Sequence, residues 1–435
     1  MSRDKVAKVL DSERFILLMV FSACVYAAFK DSWRLFADIF QTFLLLASLA
    51  TLIVHWSFFK KEKLLWLLPI ALMVQLSSWI YSLQFHPDIA TDSPQLGRFL
   101  EFFIFFFIAF WLRGNEKYIW TMLVCFVLGS IFTLNYHAPI LEQISLGLSG
   151  RRVDFDYRNA QHGALIIGAS ILISLLFLSK LIKDSQKNIA LLLTHLLVIA
   201  FLIIIQIVLQ TRQAILGITA AIICTSLYGY YIKDKLNIKS IRFILAITII
   251  VILIGLNSDI IYQRLTSELY VITDYILIGD FSNIPYTSIG IRVQLWLESA
   301  MWFIKSPLLG FGNGAEAFII EQSSRLPQRI AIEFKHVHNS YMATLLRFGF
   351  LGLLLGFAIL IFPIMDLLKS NKGKENVQHI KYLAIMFLVY WLVVNTFESF
   401  WYMKAGLWTY TVFMAAIYTI PLSQRYEEYQ SSLKS

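Results

Sequence analysis

Long apolar segments separated by short polar breaks run along most of the chain. A helix needs about 20 mainly apolar residues to cross the hydrocarbon core of a bilayer, so this pattern predicts membrane-spanning helices. The sequence predicts twelve of them, over residues 15–29, 35–59, 64–85, 96–112, 118–136, 161–179, 189–209, 213–232, 241–259, 340–366, 382–400 and 405–421. We therefore expect an all-α integral membrane protein in which residues 1–435 form a single polytopic domain.

Two connections between the predicted spans are much longer than the others, residues 137–160 and residues 260–339. Connections beyond about 12–15 residues are usually functional or disordered. The longer one contains the apolar and aromatic stretch IRVQLWLESAMWFIKSPLLGFGNGAEAF, punctuated by glycine and proline. This composition predicts one large loop with short helices that lie in the membrane interface or cover a cavity.

Composition supports the membrane assignment and excludes several other classes of protein. Of the 435 residues, 58% are hydrophobic and 15% are charged, whereas a soluble domain averages about a quarter charged residues. Cys24, Cys125 and Cys224 lie in apolar runs without CxxC spacing, which argues against a disulfide framework, a zinc site or a thiol nucleophile. The net charge of +9 is not gathered into a basic and aromatic soluble segment, so we predict no nucleic-acid partner.

The distribution of the 37 Lys and Arg residues predicts the orientation of the chain. Cytoplasmic loops of membrane proteins carry an excess of these residues. With a cytoplasmic N-terminus, most of them fall on the cytoplasmic side, including the KKEK sequence at residues 60–63. We expect both termini to be cytoplasmic and the 260–339 loop to lie on the opposite side.

Arginines at the outer ends of the spans need an explanation, because Lys and Arg are under-represented on that side. The guanidinium group binds phosphate through paired, charge-assisted hydrogen bonds and is more weakly hydrated than an ammonium group. An anionic ligand at the membrane boundary would account for them, although each could instead be a solvated loop residue or an interfacial anchor. The candidates are Arg151, Arg152 and Arg158 in SGRRVDFDYRNAQHG, Arg212 in LQTRQAILG, and Arg292. Arg212 is the most informative, since it lies in a short break between two apolar runs.

Two histidines, His336 and His338, stand just before the apolar run that begins at Ser340. Asn339 and Ser340 are favourable N-cap residues, and the positive end of a helix dipole disfavours an imidazolium ion. His338 is therefore expected to be neutral near pH 7 and able to accept a proton, unless it is only a capping-region residue. The DFD sequence at 154–156 could complete a metal site with the histidines, but nearby arginines oppose a cation, so no metal is predicted.

Several sequence blocks resemble the O-antigen ligase and polymerase superfamily of bacterial inner membranes, and most closely the O-antigen ligases. The sharpest similarity lies in residues 290–352, in the blocks IRVQLW, SPLLGFGNGAEAF and HVHNSYMATLLRFGFLGLL. Weaker similarity is found in YRNAQHGALI and QTRQAILG. The layout of twelve spans with one large periplasmic loop is also similar.

The resemblance implies a GT-C-like fold in the inner membrane and an inverting glycosyltransferase without metal or other cofactor. Its donor would be a glycan on undecaprenyl diphosphate, and its acceptor a sugar of lipid A–core, both among membrane lipids at the periplasmic face. His338 would act as general base or orient the acceptor hydroxyl, while Arg212 and Arg292 would bind the diphosphate and stabilise the leaving group. The further candidates for substrate contact are Arg158, Arg152, Asn339 and His336.

One position departs from the family pattern. Arg347 stands where many relatives have an acidic residue before a G-hydrophobic-hydrophobic-G turn. This suggests a differently charged acceptor, or an internal partner such as Glu398.

Other functions stay open at this point. An O-antigen polymerase would use the same donor with a second lipid-linked glycan as acceptor. A transporter or flippase for lipid-linked glycans would place ionisable groups near the bilayer midplane and would show related halves. The charges here gather at the outer boundary instead, which favours an enzyme.

Overall fold

The computed structural model describes residues 3–184, 189–232, 266–370 and 375–432. These segments are built from helices joined by turns and loops. In chain order the helices are α1 (Arg3–Leu10), α2 (Glu13–Phe29), α3 (Arg34–Val54), α4 (Leu67–Phe85), α5 (Ile104–Leu112), α6 (Glu116–His137), α7 (Ile140–Leu148), α8 (Ala160–Asp184), α9 (Ile189–Val208), α10 (Arg212–Tyr231), α11 (Ser288–Phe303), α12 (Ala315–Glu321), α13 (Gln328–Glu333), α14 (Ser340–Lys369), α15 (Glu375–Phe397) and α16 (Lys404–Ser432). Single helical turns at Trp56–Phe59, Lys63–Trp66, Gly97–Leu100, Glu101–Phe103, Leu269–Val271, Ile272–Ile276 and Phe400–Tyr402 complete them.

Nine helices in the described segments are long and apolar enough to cross a membrane. They correspond to α3, α4, α6, α8, α9, α10, α14, α15 and α16. The predicted spans 15–29 and 96–112 also contain helices, but these helices are shorter than the nine above. Helix α2 covers 17 residues, and α5 follows two short helical turns. The predicted span 241–259 lies outside the described residues, so the total of twelve stays a prediction.

Helix α16 is the central element of the bundle. Within its apolar window 94% of the residues are buried, against 28% for α3 at the periphery. It packs against α5 and α14, and its sequence AGLWTYTVFMAAIYT is rich in small residues that let neighbouring helices approach closely. The exposed apolar side chains of α3, such as Leu35 and Ile53, are those expected to face lipid.

A partly buried charge cluster joins three elements at the end of the bundle opposite to His338. Arg425 of α16 donates to both carboxylate oxygens of Glu62, from Nε at 3.0 Å and from Nη2 at 2.9 Å. Its Nη1 donates to Asp366 of α14 at 2.6 Å. Glu62 belongs to the KKEK sequence and is buried. Because each charge has hydrogen-bonded partners, the cluster fixes the α3–α4 connection against α14 and α16.

Helix α14 is broken in its first third, where Gly349 has φ +62° and ψ −161°. The segment from Pro307 to Gly312 packs into this break. Phe311 N–H donates to the Leu346 carbonyl at 2.7 Å, and Gly312 N–H donates to the Arg347 carbonyl at 2.9 Å. A broken helix is tolerated in a membrane protein where other protein groups satisfy the freed backbone. Part of the predicted 260–339 loop therefore packs against a spanning helix.

Two glycines allow the backbones of these segments to touch. A Cβ atom on Gly349 would lie 2.3 Å from the carbonyl carbon of Leu308. A Cβ atom on Gly310, whose φ is +66°, would lie 2.6 Å from the carbonyl carbon of Arg347. The PLLGFG and GFLG sequences thus form one interlocked unit that only glycine at these two positions permits.

Replacing Gly349 by alanine is expected to destabilise the protein. The left-handed backbone alone costs a non-glycine residue on the order of 1–3 kcal/mol, and the contact with Leu308 adds to this. Gly97→Ala is the matched control, because a Cβ atom there meets nothing within 4 Å and its φ is ordinary. Thermal unfolding of purified protein in detergent should show a lower Tm for Gly349→Ala only; equal Tm values for the two variants would contradict the interlock.

Candidate functional site

The site is built around Glu398, whose carboxylate is fully buried between the end of α15 and the Phe400–Tyr402 turn. His338 Nδ1 lies 3.0 Å from Glu398 Oε2, and His336 Nδ1 lies 3.4 Å from Glu398 Oε1. The Ser399 N–H donates to Glu398 Oε1 at 3.0 Å. Burial by itself would raise the pKa of Glu398, but the hydrogen bond from His338, the attraction of both imidazoles and the Ser399 N–H outweigh it and lower the pKa to about 2. Glu398 is therefore an ionised carboxylate.

The hydrogen bond to Glu398 fixes the proton arrangement of His338. An ionised carboxylate only accepts hydrogen bonds, so Nδ1 of His338 must carry the proton that it shares with Glu398. In a neutral imidazole the lone pair then lies on Nε2. His338 is held in this place by a left-handed backbone, with φ +51°. The side chain can accept a further proton at Nε2.

The segment that carries the histidines is anchored on both sides. Asn339 caps α14, as predicted, and its Oδ1 accepts hydrogen bonds from Tyr341 N–H at 2.9 Å and Met342 N–H at 3.1 Å. Val337 N–H donates to Glu316 Oε2 at 2.9 Å, and the Val337 carbonyl accepts from Trp296 Nε1 at 3.0 Å. The side-chain oxygen of Asn339 thus serves the helix, and its contact with a substrate stays a prediction.

Arg347 pairs with Glu316, so the suggested pairing with Glu398 is wrong. Its Nη2 lies 2.6 Å and its Nε 2.7 Å from Glu316 Oε1, and its guanidinium stacks 4.3 Å above the Tyr402 ring. The physical reason is position along α14: Arg347 lies deeper in the bundle than His338, where α12 brings in Glu316. The charge of Arg347 is compensated inside the protein, and the pair supports the backbone before His338.

Arg292 is joined to Glu398 through Gln161. Arg292 Nη1 donates to the Ser288 carbonyl at 3.0 Å and to Ser288 Oγ at 2.7 Å within α11. With the Gln161 amide oriented so that donors meet acceptors, its oxygen accepts from Arg292 Nη2 at 2.6 Å and its nitrogen donates to Glu398 Oε2 at 2.5 Å. Three hydrogen bonds therefore connect Arg292 with His338.

Arg212 contacts a second carboxylate, that of Glu268. Arg212, the first residue of α10, donates from Nη2 to Glu268 Oε1 at 3.1 Å. Glu268 Oε2 accepts from the Ile289 N–H at 2.7 Å, at the start of the helix that carries Arg292. The next residue, Gln213, lies with its amide 3.4 Å from that of Gln161. The structure therefore places Arg212 beside the start of the helix that carries Arg292, and Gln161 and Glu398 link Arg292 to His338.

The two remaining predicted contact residues, Arg158 and Arg152, lie in the loop that precedes α8. Arg158 donates to Asp31 at 2.5 Å, and Tyr157 donates to the same carboxylate. Arg158 is thereby tied to the α2–α3 connection. Arg152 lies exposed in the loop between α7 and α8. The roles of both arginines as substrate contacts stay predictions.

Sequence reasoning missed Gln161, Glu268 and Glu316, and it gave Glu398 a different partner. The missed residues are polar groups near the ends of apolar segments. Glutamines and acids are common at such positions, so their presence there does not indicate a functional role. A signal did exist for Gln161, because it stands three residues after Arg158 in the YRNAQHGALI block, in the first turn of α8. No periodic pattern indicates which distant residue each of them contacts.

His336, His338 and Glu398 also form a possible cation site. Their ligand atoms all lie within 4.8 Å of one another, and two imidazoles with a carboxylate are a donor set that transition metals accept. The neighbouring guanidinium of Arg292 opposes a cation there. In the proposed D-x-D site, Asp154 Oδ1 accepts from Asp156 N–H at 3.0 Å, which is a local turn contact.

A family model described as O-antigen ligase matches residues 195–357, which extend from α9 into α14 and include Arg212, Arg292, His336 and His338. A search of curated protein sequences finds no significant match.

Proposed function

Because the matched segment makes this chain a member of the O-antigen ligase superfamily, we propose that it is an O-antigen ligase. The chain is a multi-pass membrane protein. In the proposed reaction it transfers a glycan from undecaprenyl diphosphate to a sugar of lipid A–core at the periplasmic face of the bacterial inner membrane. The observation that best supports this proposal is the set of three hydrogen bonds that joins the proton acceptor His338 to Arg292.

The reaction is an inverting displacement at the anomeric carbon of the donor. The acceptor oxygen forms the new glycosidic bond while the bond from the anomeric carbon to the diphosphate oxygen breaks. The hydroxyl proton passes to Nε2 of His338, and the bonding electron pair leaves with the diphosphate. No oxidant, reductant or further reactant is required.

Glu398 prepares His338 for this role. Its carboxylate holds the Nδ1 proton, which orients the imidazole and stabilises the imidazolium that forms, as an acid does in other acid–histidine pairs. His336 Nδ1 lies 3.4 Å from the same carboxylate without a hydrogen bond to it. Burial, and then the charge of His338, lower the pKa of His336, although Glu398 and Glu316 act in the opposite direction. His336 thus binds a proton less readily than an exposed histidine does.

Arg212 and Arg292 serve the departing diphosphate. Negative charge accumulates on this group in the transition state, where fixed guanidinium groups stabilise it more than they stabilise the substrate. Arg212 begins α10 and Arg292 lies near the start of α11, so the positive ends of two helix dipoles point toward the same region. Arginines would here provide the charge that a divalent metal provides in other glycosyltransferases.

A transfer assay with purified protein tests the proposal directly. Given the lipid-linked donor and lipid A–core in EDTA, without an ion gradient, the protein should attach the glycan to lipid A–core. Mass spectrometry of the lipid products separates the alternatives: longer glycans still on the polyprenyl carrier would identify a polymerase. Donor movement across vesicles without transfer would identify a transporter, and dependence on added divalent metal would contradict the role of the arginines.

Substitutions of the acid–histidine pair should abolish transfer. His338→Ala removes the proton acceptor, and Glu398→Gln removes the negative charge that fixes its tautomer, so each should lower kcat by roughly 10²- to 10⁴-fold. His195→Ala is the control, because His195 contacts the Ser174 carbonyl on another face of the bundle. Membrane levels should be compared by immunoblot; transfer near the wild-type rate in His338→Ala would remove this residue from catalysis.

Arg212→Lys should lose most activity although the charge is kept. A lysine cannot bind two oxygens with one planar fork, and the loss of a charged hydrogen bond amounts to about 1.5–3 kcal/mol, or roughly 10- to 100-fold in kcat/KM for the donor. The matched control is Arg34→Lys, at an exposed arginine that pairs with Asp38 at 3.4 Å. Steady-state kinetics with varied donor would measure the effect, and equal kcat/KM in both variants would reduce Arg212 to an interfacial anchor.

A further inference from the structure

One uncharged side chain, Gln161, contacts both ends of the proposed reaction centre. Its amide oxygen accepts from Arg292 Nη2 at 2.6 Å, and its amide nitrogen donates to Glu398 Oε2 at 2.5 Å. The three residues come from α8, from α11 and from the end of α15, which are far apart in sequence. An amide is a neutral group that can donate to a carboxylate through its nitrogen and accept from a guanidinium through its oxygen at the same time.

The backbone of Gln161 is held in place by hydrogen bonds that do not involve its side chain. Asn159 Oδ1 accepts from the Gln161 N–H at 2.8 Å and from the His162 N–H at 3.3 Å, which caps the first turn of α8. The side chain therefore starts from a defined point and spans the space between Arg292 and Glu398. A side chain one methylene shorter could not contact both groups from this point.

A second acid and arginine in the same region show what happens without such a bridge. Glu316 and Arg347 meet directly, with Nε at 2.7 Å and Nη2 at 2.6 Å from one carboxylate oxygen. In this closed pair both charges are used to hold the fold. Opposite charges in a buried environment attract strongly, so Arg292 and Glu398 would be expected to close in the same way if nothing lay between them.

We propose that Gln161 is a positioning residue that keeps Arg292 from closing onto Glu398. The amide satisfies each charged group separately, which leaves the guanidinium directed at the donor diphosphate and the carboxylate committed to His338. This inference rests on the proposed function, because it assigns the two groups to the two ends of the transfer reaction. The inference adds that the neutral amide of Gln161 keeps the charges of Arg292 and Glu398 from pairing directly.

The first consequence concerns anion binding in Gln161→Ala. Without the amide, Arg292 pairs with Glu398, and the affinity for inorganic pyrophosphate should fall roughly tenfold or more, as expected for the loss of a charged hydrogen bond. The donor KM should rise in parallel. Isothermal titration of the purified full-length protein with pyrophosphate measures the affinity without any glycan acceptor.

The second consequence separates this role from a merely structural one. In Gln161→Ala/Glu398→Gln the competing carboxylate is neutral, so pyrophosphate affinity and donor KM should return close to wild-type values. The kcat for transfer should stay low, because His338 has lost its acidic partner. A purely structural defect at position 161 would not be repaired by a second substitution in the site.

Gln75→Ala supplies a control for the loss of a buried amide. Gln75 is buried in α4, where its side chain contacts the Ala71 carbonyl and the Phe99 N–H. This variant should bind pyrophosphate as the wild type does. If Gln161→Ala does not accumulate in membranes, Gln161→Asn keeps an amide that cannot reach both groups and should weaken binding in the same direction.

Two results would overturn the inference. One is unchanged pyrophosphate affinity in Gln161→Ala or, where that variant is absent, in Gln161→Asn. The other is a double variant that binds as weakly as Gln161→Ala. Because binding is measured without acceptor, a failure of glycan transfer would count against the proposed function while the binding results still decide the role of Gln161.

Discussion

The buried charge of Glu398 organises the end of the protein that carries the site. A carboxylate removed from water stays ionised only where donors and positive groups replace its hydration. Here these groups come from α8, from the segment before α14 and from the backbone after α15. The compensation of this single charge therefore determines both how these distant helices pack together and where His338 carries its proton.

Acid–arginine contacts occur in two forms in the described residues, direct and bridged, and the direct form includes Arg212 with Glu268. Arg425 with Glu62, Arg347 with Glu316 and Arg158 with Asp31 are direct pairs that fasten helices and loops together. Arg292 and Glu398 are held apart by Gln161 instead. In a direct pair the two charges compensate each other at contact distance, whereas the Gln161 amide contacts Arg292 and Glu398 separately.

The sequence predicted the elements of this fold better than their contacts. Apolar length is a local property, so the spanning helices and the cap at Asn339 could be read from neighbouring residues. The partner of Arg347 could not be predicted in this way. Glu316 and Glu398 are both distant in sequence, and only the position of Arg347 along α14 in the folded protein decides which of the two acids it contacts. Gln161 escaped notice for a related reason: an uncharged residue becomes informative only when two opposite charges are seen on either side of it. The arginines and His338 were identifiable because charge near an apolar segment always requires an explanation.

The interlock between Gly310 and Gly349 also limits how such proteins can diversify. Since the loop backbone rests directly on the backbone of α14, neither segment can change its course alone. A change in the course of this part of the chain would have to arise around this joint, or through exchange of the loop and the start of α14 together. A chimaera that takes the loop from one protein and α14 from another would combine two backbones whose shapes do not match at this joint.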